Sequence, residues 1–286
     1  MNAVLGLVRR LATLPVLRRL TTVGVLMRLS FSLRASLVRE PVRFVRNELR
    51  PGAGVLASYR LRESDVRIAV RHKSPDILIL DELFAQREYV LPDEVADCLT
   101  HLNPPAPKVV DLGANIGLFG AWILGRFPAA RIVALEPDPS NARVHRAAVA
   151  ANGLENRWRL VEAAAATSAG RVRFAADSFT TSHAAGSDEE AIDVEAVDVF
   201  PLLAGADLVK IDIEGAEWPI LADSRVSELD AAAIVLEYHV EGAPGPDPAA
   251  AAEHLLADAG FSVIARHPKD ASTGVLWAVR KRGAAS

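Results

Sequence analysis

Charged residues interrupt an apolar stretch, LVKIDIEGAEW, which begins at Leu208. Lys210, Asp212 and Glu214 occupy alternate positions in it, and a strand places alternate side chains on one face. Buried charges are costly unless they are paired, so this clustering needs a reason. Asp212 and Glu214 are therefore candidates for removing a proton or for holding a divalent ion such as Mg²⁺. A structural ion pair of Lys210 with either acid is the alternative.

A histidine ends a second apolar stretch, VLEYH, at residues 235–239. His239 has Glu237 close by, and an ordinary histidine pKa of about 6.5 suits a base that works near neutrality. His239 is therefore the third catalytic candidate. A histidine at the end of a strand that is structural or exposed is the alternative.

A glycine-rich turn lies in the stretch KVVDLGANIGLFG, which spans residues 108–120. An apolar strand, a glycine turn and a helix in this order form a corner that accepts anions and nucleotides. Asn115 stands where the dinucleotide fingerprint G-x-G-x-x-G needs its second glycine. The order D-x-G-x-x-x-G, from Asp111 through Gly113 to Gly117, is instead typical of a loop that binds S-adenosylmethionine. A tight turn without a ligand is the alternative.

A further apolar stretch, RIVALEPD, begins at Arg131 and contains Glu136 near its end, 23 residues after Gly113. In a βαβ unit, an acid about 20 residues beyond the glycine turn reaches the ribose, and a carboxylate can accept hydrogen bonds from both hydroxyls of a diol. Glu136 could also cap the next helix. The candidate cofactor-binding residues are Asp111, Gly113, Asn115, Gly117, Glu136, Pro137, Asp138 and Glu162.

Alternating strands and helices are needed to bring these residues together. The periodicity predicts a parallel sheet that is covered by helices on both faces. Strands are expected at 109–112, 132–136, 158–164, 208–213 and 233–239, a strand pair at 171–176 and 192–197 around a polar loop, and a closing hairpin at 261–266 and 275–280. Helices are expected at 93–102, 140–151 and 248–259. Residues 55–80 alternate as short strands do, with Ile77 and Ile79 among their apolar positions.

Charge is distributed unevenly over the 286 residues, whose net charge is −4. Residues 1–73 contain 15 of the 32 Lys and Arg residues but 4 of the 36 Asp and Glu residues. We expect residues 1–50 to be helical, residues 1–75 to form a basic extension of helical and strand segments, and residues 76–286 to form a catalytic domain. The extension could contact an anionic membrane surface, or its arginines could form a solvated helix face or pair with the acidic domain.

The remaining composition narrows the class of protein. With 50% hydrophobic and 24% charged residues, it is ordinary for a globular protein. A single cysteine, Cys98, excludes an internal disulfide and is consistent with the cytoplasm. No apolar run reaches the length of a membrane span. We expect a cytoplasmic protein, with peripheral contact at the inner membrane face through the basic extension and without a nucleic-acid partner.

The quoted motifs together resemble the FkbM family of S-adenosylmethionine-dependent methyltransferases. The matching pieces are REYVLP (87–92), VVDLGANIG (109–117), ALEPDP (134–139), NGL (152–154), VKIDIEGAE (209–217) and VLEYH (235–239). The resemblance implies a Rossmann-like class I methyltransferase fold, which is α/β with a mostly parallel seven-stranded sheet. It also implies bound S-adenosylmethionine and methylation of a hydroxyl group on a small-molecule, polyketide, sugar, glycan or glycolipid acceptor. Val197 departs from the leucine that the family usually has before the acid, here Asp198.

Two other classes of function stay open at this point. One is a nicotinamide-dependent oxidoreductase, which the missing glycine at position 115 disfavours. The other is a non-catalytic binding protein that keeps the fold and uses the basic extension to hold a membrane or a partner.

Overall fold

The computed structural model describes residues 34–52, 54–87, 89–102, 106–174 and 192–281. The strands, in chain order, are β1 (Leu56–Arg60), β2 (Arg67–Arg71), β3 (Lys108–Leu112), β4 (Arg131–Leu135), β5 (Trp158–Val161), β6 (Ala164–Ala166), β7 (Gly170–Phe174), β8 (Ile192–Asp198), β9 (Leu208–Ile211), β10 (Ala233–Tyr238), β11 (Phe261–Pro268) and β12 (Gly274–Arg280). The helices are α1 (Pro41–Leu49), α2 (Asp76–Leu80), α3 (Asp93–Thr100), α4 (Leu118–Arg126), α5 (Pro139–Asn152), α6 (Phe200–Leu203), α7 (Glu217–Leu221) and α8 (Pro248–Asp258).

A seven-stranded sheet carries the fold, in the order β11-β12-β10-β9-β3-β4-β5. The five strands from β10 to β5 pair in parallel, and β12 is antiparallel to both β10 and β11. The predicted sheet and its closing hairpin are therefore confirmed. In this order β3 and β9 are neighbours, so the glycine turn after β3 and the acids after β9 meet at one edge of the sheet.

Each face of the sheet has its own apolar core, as the alternation along the strands requires. Val109 and Leu208 face one core, which contains α4, α5 and the N-terminal segment. Val110 and Val209 face the other core, which contains α6, α7 and α8. The central strands are thus buried on both faces, as expected for parallel strands.

The basic N-terminal part that the structure describes belongs to the first core. Phe44 of α1 and Tyr59 of β1 are completely buried, and their rings pack against each other and against His72. The predicted helix is present as α1, and residues 1–33 lie outside the described part. The domain boundary at residue 75 stays a prediction, but residues on both of its sides share one core.

Residues 76–80 form a helix, so the strand predicted there is wrong. The apolar side chains that are buried, Ile77, Leu80 and Leu83, are spaced by three residues, and the helix continues as a π-helical turn over Asp81–Ala85. A spacing of three residues is typical of a helix. The alternate apolar positions Ile77 and Ile79 had suggested a strand instead.

Two further strand boundaries differ from the prediction. The strand expected at 158–164 divides into β5 and β6, and β6 leaves the main sheet to pair with β8. The strand expected at 208–213 ends at Ile211, so Asp212 and Glu214 follow it in a turn. The polar loop expected between β7 and β8 falls on residues outside the described part. Among the described residues, no helix is long and apolar enough to cross a membrane.

Candidate active site

Two adjoining clefts open at the carboxyl ends of the parallel strands. They contain about 980 and 960 Å³ of empty space, which includes open solvent at their mouths. Their shared lining residues are Ile79, Gly113, Asn115, Asp212 and Glu214. Glu136, Pro137 and Phe174 line the first cleft only. After the ligands that the sequence analysis predicts for their residues, we name the first the cofactor cleft and the second the acceptor cleft. This is the edge at which open α/β sheets hold their ligands.

The glycine turn forms the floor between the clefts. Gly113 has a φ of +77°, and a Cβ atom there would lie 1.7 Å from the carbonyl oxygen of Asp212. Glycine is therefore required both by the backbone conformation and by the close approach of the end of β9. Asn115 also adopts a left-handed conformation, with a φ of +48°, which asparagine tolerates better than most residues. The turn thus packs directly onto the residue that the sequence singles out as catalytic.

Glu136 lies beside this turn and is held by two backbone donors. The amide of Asn115 donates to Oε2 at 2.7 Å, and the amide of Asp138 donates to Oε1 at 2.9 Å. Each carboxylate oxygen can accept another hydrogen bond, so the pair remains suited to a diol. Burial raises the pKa of Glu136 to about 7, although both backbone donors act to lower it.

The residue that caps the next helix is Asp138 and not Glu136. The side chain of Asp138 caps α5 by accepting hydrogen bonds from the amides of Ser140 and Asn141. Asp138 is thereby occupied with the helix, and Glu136 stays directed at the cleft.

The other predicted cofactor residues lie in different surroundings. Gly113, Asn115, Glu136 and Pro137 line the cofactor cleft. Asp111 is completely buried beside Lys210, and Gly117 lies over His145, so both support the turn from beneath. Glu162 pairs with Arg146 at the surface and is not among the residues that line either cleft. All eight assignments stay predictions.

Arg71 is a cleft residue that the sequence analysis missed. Its guanidinium donates to Asp76 (Nη2 to Oδ1, 2.8 Å), to Ser140 Oγ (2.9 Å) and to Asn141 Oδ1 (2.5 Å). The N-terminal hairpin is thereby joined to the start of α5, next to Glu136. The basic composition of the segment concealed it, because one arginine among many has no distinguishing spacing.

The three catalytic candidates meet in the acceptor cleft. Nε2 of His239 lies 3.3 Å from Oε2 of Glu214, and one ligand atom from each of Asp212, Glu214 and His239 lies within 4.8 Å of the other two. Glu214 reaches the cluster from a turn with a φ of +52° and not from the strand. The three candidates therefore lie together, but Glu214 does not stand on the strand that the sequence predicted for it, and their catalytic roles stay predictions.

Lys210 pairs with two of the acids. Its Nζ lies 3.0 Å from Oδ2 of Asp212 and 3.3 Å from Oδ1 of Asp111, and it donates to the carbonyl oxygen of Gly113 at 2.8 Å. Burial acts to raise the pKa of Asp212, but the adjacent Lys210 charge outweighs it and holds that pKa below its ordinary value. The predicted ion pair of Lys210 with Asp212 therefore exists, and it keeps Asp212 ionised.

Two groups that the sequence analysis left unassigned complete the cluster. Glu217 is fully buried, and its Oε1 accepts hydrogen bonds from the His239 amide (2.8 Å) and lies 3.1 Å from Nδ1 of the same residue. Tyr89 donates to Oε2 of Glu237 at 3.0 Å and lies 3.4 Å from Oδ2 of Asp212. Tyr89 lies in the motif REYVLP and Glu217 in VKIDIEGAE. Membership of a family motif, without an assigned role, was the signal that could have identified them.

The electrostatics differ between the candidates. Burial and the nearby Asp212 charge raise the pKa of Glu214 to about 8. Burial opposes protonation of His239, but its hydrogen bond to Glu217 and the surrounding carboxylates raise its pKa to about 9. A histidine that already carries a proton at neutral pH cannot accept another, so this environment favours Asp212 over His239 as the base.

Comparison with known proteins places the chain in a family. The family model described as "Methyltransferase FkbM domain" matches residues 111–263, which is more than half of the chain. The chain belongs to the FkbM methyltransferase family. The match covers the glycine turn, Glu136 and the whole acid–histidine cluster.

Solved structures that resemble this FkbM protein share little sequence identity with it. A solved FkbM methyltransferase from Methylobacillus flagellatus KT is 16% identical with a TM-score of 0.45, and the alignment covers 71% of this chain and 53% of that one. TYW2 of M. jannaschii, solved with AdoMet, is 12% identical with a TM-score of 0.43 over 80% and 87% of the two chains. The assignment rests on the family model, because both scores are low.

A curated relative matches over a short segment. AMB antimetabolite synthetase AmbE of Pseudomonas aeruginosa is 43% identical over 60 residues, which are 21% of this chain and 3% of that protein. The FkbM chain thus spans about half of the solved FkbM structure and a small fraction of AmbE.

Proposed function

We propose that this chain transfers the methyl group of S-adenosylmethionine to an oxygen atom of its acceptor. The observation that carries the proposal is the position of Glu136. It is held by two backbone amides beside the glycine turn, and the ionisable cluster around Asp212 lies in the adjoining cleft.

The residues of the cofactor cleft fit S-adenosylmethionine. Glu136 offers two acceptor oxygens for the ribose hydroxyls. Phe174 and Ala165 give the same cleft an apolar wall suited to a purine ring. Gly113 and Asn115 line both clefts, so they are suited to hold the methionine portion where the clefts meet. When bound there, the cofactor supplies an electrophilic methyl group.

Asp212 is suited to receive the proton of an acceptor hydroxyl. It is ionised because Lys210 lowers its pKa, and it lines both clefts. Orienting the hydroxyl oxygen toward the methyl group lowers the barrier by several kcal/mol, and accepting its proton adds about 10²–10⁴-fold. Glu214 and His239 extend the same cluster and orient the acceptor.

The acceptor cleft favours a ligand rich in hydrogen-bond donors. Glu82, Glu214 and Glu237 line it together with Asp212. Carboxylates accept hydrogen bonds from hydroxyl groups, so a polyhydroxylated small molecule, a glycan or a glycolipid headgroup fits this lining. Contact of the basic N-terminal extension with an anionic membrane would bring a lipid-linked acceptor to the cleft.

Calorimetry and mass spectrometry test the proposal together. We expect the protein to bind S-adenosylmethionine and S-adenosylhomocysteine, but not NADH. Incubation with S-adenosylmethionine and fractionated glycans, glycolipids and polyketides should add one methyl group to an acceptor oxygen, located by fragmentation. Binding of NADH in place of S-adenosylmethionine would support the oxidoreductase class and overturn the proposal. Methylation at nitrogen would leave the cofactor assignment standing and overturn the choice of oxygen.

A further inference from the structure

We propose that Asp212, Glu214 and His239 form a binding site for a divalent first-row transition-metal ion. This inference deepens the proposed function, because the ion would lie beside the acceptor oxygen, but the site itself rests on geometry alone. The three residues come from the ends of β9 and β10 and converge in the acceptor cleft.

The ligand atoms have the spacing of a coordination sphere. One carboxylate oxygen from each acid and one imidazole nitrogen all lie within 4.8 Å of one another. Metal–ligand bonds of about 2.0–2.2 Å place two ligands of one ion no more than about 4.4 Å apart, so small rotations of the side chains bring them into range. Asp212 and Glu214 are partly exposed to the cleft, which leaves an entry path for the ion and open positions for an acceptor.

The buried Glu217 fixes His239 as a ligand. Its Oε1 lies 3.1 Å from Nδ1 of His239 and accepts the His239 backbone amide. Nδ1 therefore carries a proton toward Glu217, and Nε2, whose own proton the ion would displace to solvent, is directed at Glu214. A carboxylate behind a histidine in this way sets the tautomer and ring orientation that metal ligation needs.

The turn that presents Glu214 is held by the same acid. Oε2 of Glu217 accepts the amide of Gly215 at 2.8 Å, so Glu217 orients both the histidine and the turn. The left-handed backbone of Glu214 is unfavourable for a non-glycine residue and persists only where its surroundings impose it. A single buried residue thus organises two of the three ligands.

The donor set favours a transition metal over Mg²⁺. Mg²⁺ prefers oxygen ligands and octahedral geometry, whereas imidazole suits Zn²⁺, Fe²⁺ and their neighbours in the series. Carboxyl groups outnumber amino groups around His239, where Glu217, Glu214 and Glu237 face Lys269 and Lys210. A divalent cation in place of a proton offsets this excess. Bound beside the acceptor, the ion would lower the pKa of a coordinated hydroxyl group and assist Asp212 in removing its proton.

Metal titration of the full chain, without S-adenosylmethionine, tests the site. After chelator treatment and dialysis, MnCl₂ binding is followed by electron paramagnetic resonance, and ZnCl₂ and MgCl₂ are added as competitors. We expect one Mn²⁺ site that Zn²⁺ displaces and that a hundredfold excess of Mg²⁺ does not. Displacement by equimolar Mg²⁺ would overturn the choice of a transition metal.

Matched variants locate the ion. We expect at least tenfold weaker Mn²⁺ binding for Asp212→Asn, Glu214→Gln and His239→Gln, and weaker binding for Glu217→Gln. His254→Gln and Glu253→Gln change an exposed histidine and a partly exposed acid on α8, and should bind Mn²⁺ as the wild type does. Wild-type affinity in His239→Gln and Glu214→Gln, with intact circular dichroism, would overturn the proposal.

A parallel titration with S-adenosylmethionine separates the two proposals. If the protein binds S-adenosylmethionine but no Mn²⁺ or Zn²⁺, the metal site is wrong and the proposed function stands. If Mn²⁺ binds at the three residues and S-adenosylmethionine does not bind, the proposed function fails and the metal site stands.

Discussion

At the scale of a single carboxyl group, the proposed role of Glu136 predicts that cofactor binding depends on pH. Its pKa of about 7 means that lowering the pH through neutrality adds a proton and removes acceptors that the ribose needs. We expect the affinity for S-adenosylmethionine to be about tenfold weaker at pH 6 than at pH 8. Glu136→Gln should bind about 10–100-fold more weakly at pH 8 and lose most of this pH dependence. Calorimetry at both pH values measures the dissociation constant, with Glu253→Gln on α8 as the control, and an unchanged dissociation constant in Glu136→Gln would refute the ribose role.

Asp212 should affect turnover far more than cofactor binding. Asp212→Asn keeps the shape of the side chain but removes the charge that accepts a proton, so we expect kcat to fall by about 10²–10⁴-fold. The dissociation constant for S-adenosylmethionine should stay close to that of the wild type. Asp258→Asn on the exposed face of α8 is the control. If affinity falls and kcat does not, Asp212 binds the amino group of the cofactor instead.

His145 connects the glycine turn to stability in acid. It is completely buried against Trp158, and burial lowers its pKa to about 4 from an ordinary value of 6.5. The unfolded chain therefore takes up the proton first, and stability is lost as the pH falls from about 6.5 to about 4. The free energy of unfolding of His145→Gln should fall by about 2 kcal/mol less than that of the wild type between pH 7 and pH 4.5. Urea denaturation compares the two, and the exposed His254→Gln should behave as the wild type.

At the scale of elements, the contact between the glycine turn and the end of β9 sets a steric requirement. Gly113→Ala would place a methyl group 1.7 Å from the Asp212 carbonyl oxygen, and the turn or the strand end must move. Gly153→Ala has a similar left-handed φ of +63° but no atom within 4 Å, so it isolates the cost of backbone strain, about 1–2 kcal/mol. We expect Gly113→Ala to lower the melting temperature well beyond Gly153→Ala. Equal losses in the two variants would show that the close approach does not constrain the turn.

Elements with a clear period were predictable from the sequence, and the bends between them were not. The sheet strands and α5 followed from apolar alternation and from the stop at Asn152 and Gly153. The position of Glu214 could not be predicted from the sequence, because its place beside His239 depends on a left-handed turn that no spacing encodes. The contact of Glu217 with His239 could not be predicted either, because it depends on the pairing of β9 with β10, which brings His239 close to the start of α7.

At the scale of the whole molecule, the described part of the N-terminal segment packs into one of the two apolar cores of the main sheet. Phe44 and Tyr59 are fully buried in the core that also contains α4 and α5. A chain that begins at Arg60 loses both rings, at a cost of about 3–5 kcal/mol for each large aromatic, against a typical total stability of 5–15 kcal/mol. We expect this chain not to fold cooperatively, as measured by circular dichroism. A cooperative melt together with S-adenosylmethionine binding would show that residues 60–286 fold without the preceding segment.

Lys210 donates to the carbonyl of Gly113 in the cofactor turn and also pairs with Asp212 in the acceptor cleft. One ammonium group therefore contacts residues of both proposed binding sites. A ligand that alters the turn changes the electrostatic environment of Asp212, and a ligand that engages Asp212 alters the interaction that holds the turn. Thermodynamic linkage is reciprocal, so whatever factor the first ligand imposes on the affinity of the second, the second imposes on the first. If the two clefts bind the proposed ligands, they therefore form one cooperative unit, and the order in which they fill determines which intermediate complex accumulates but not the final equilibrium.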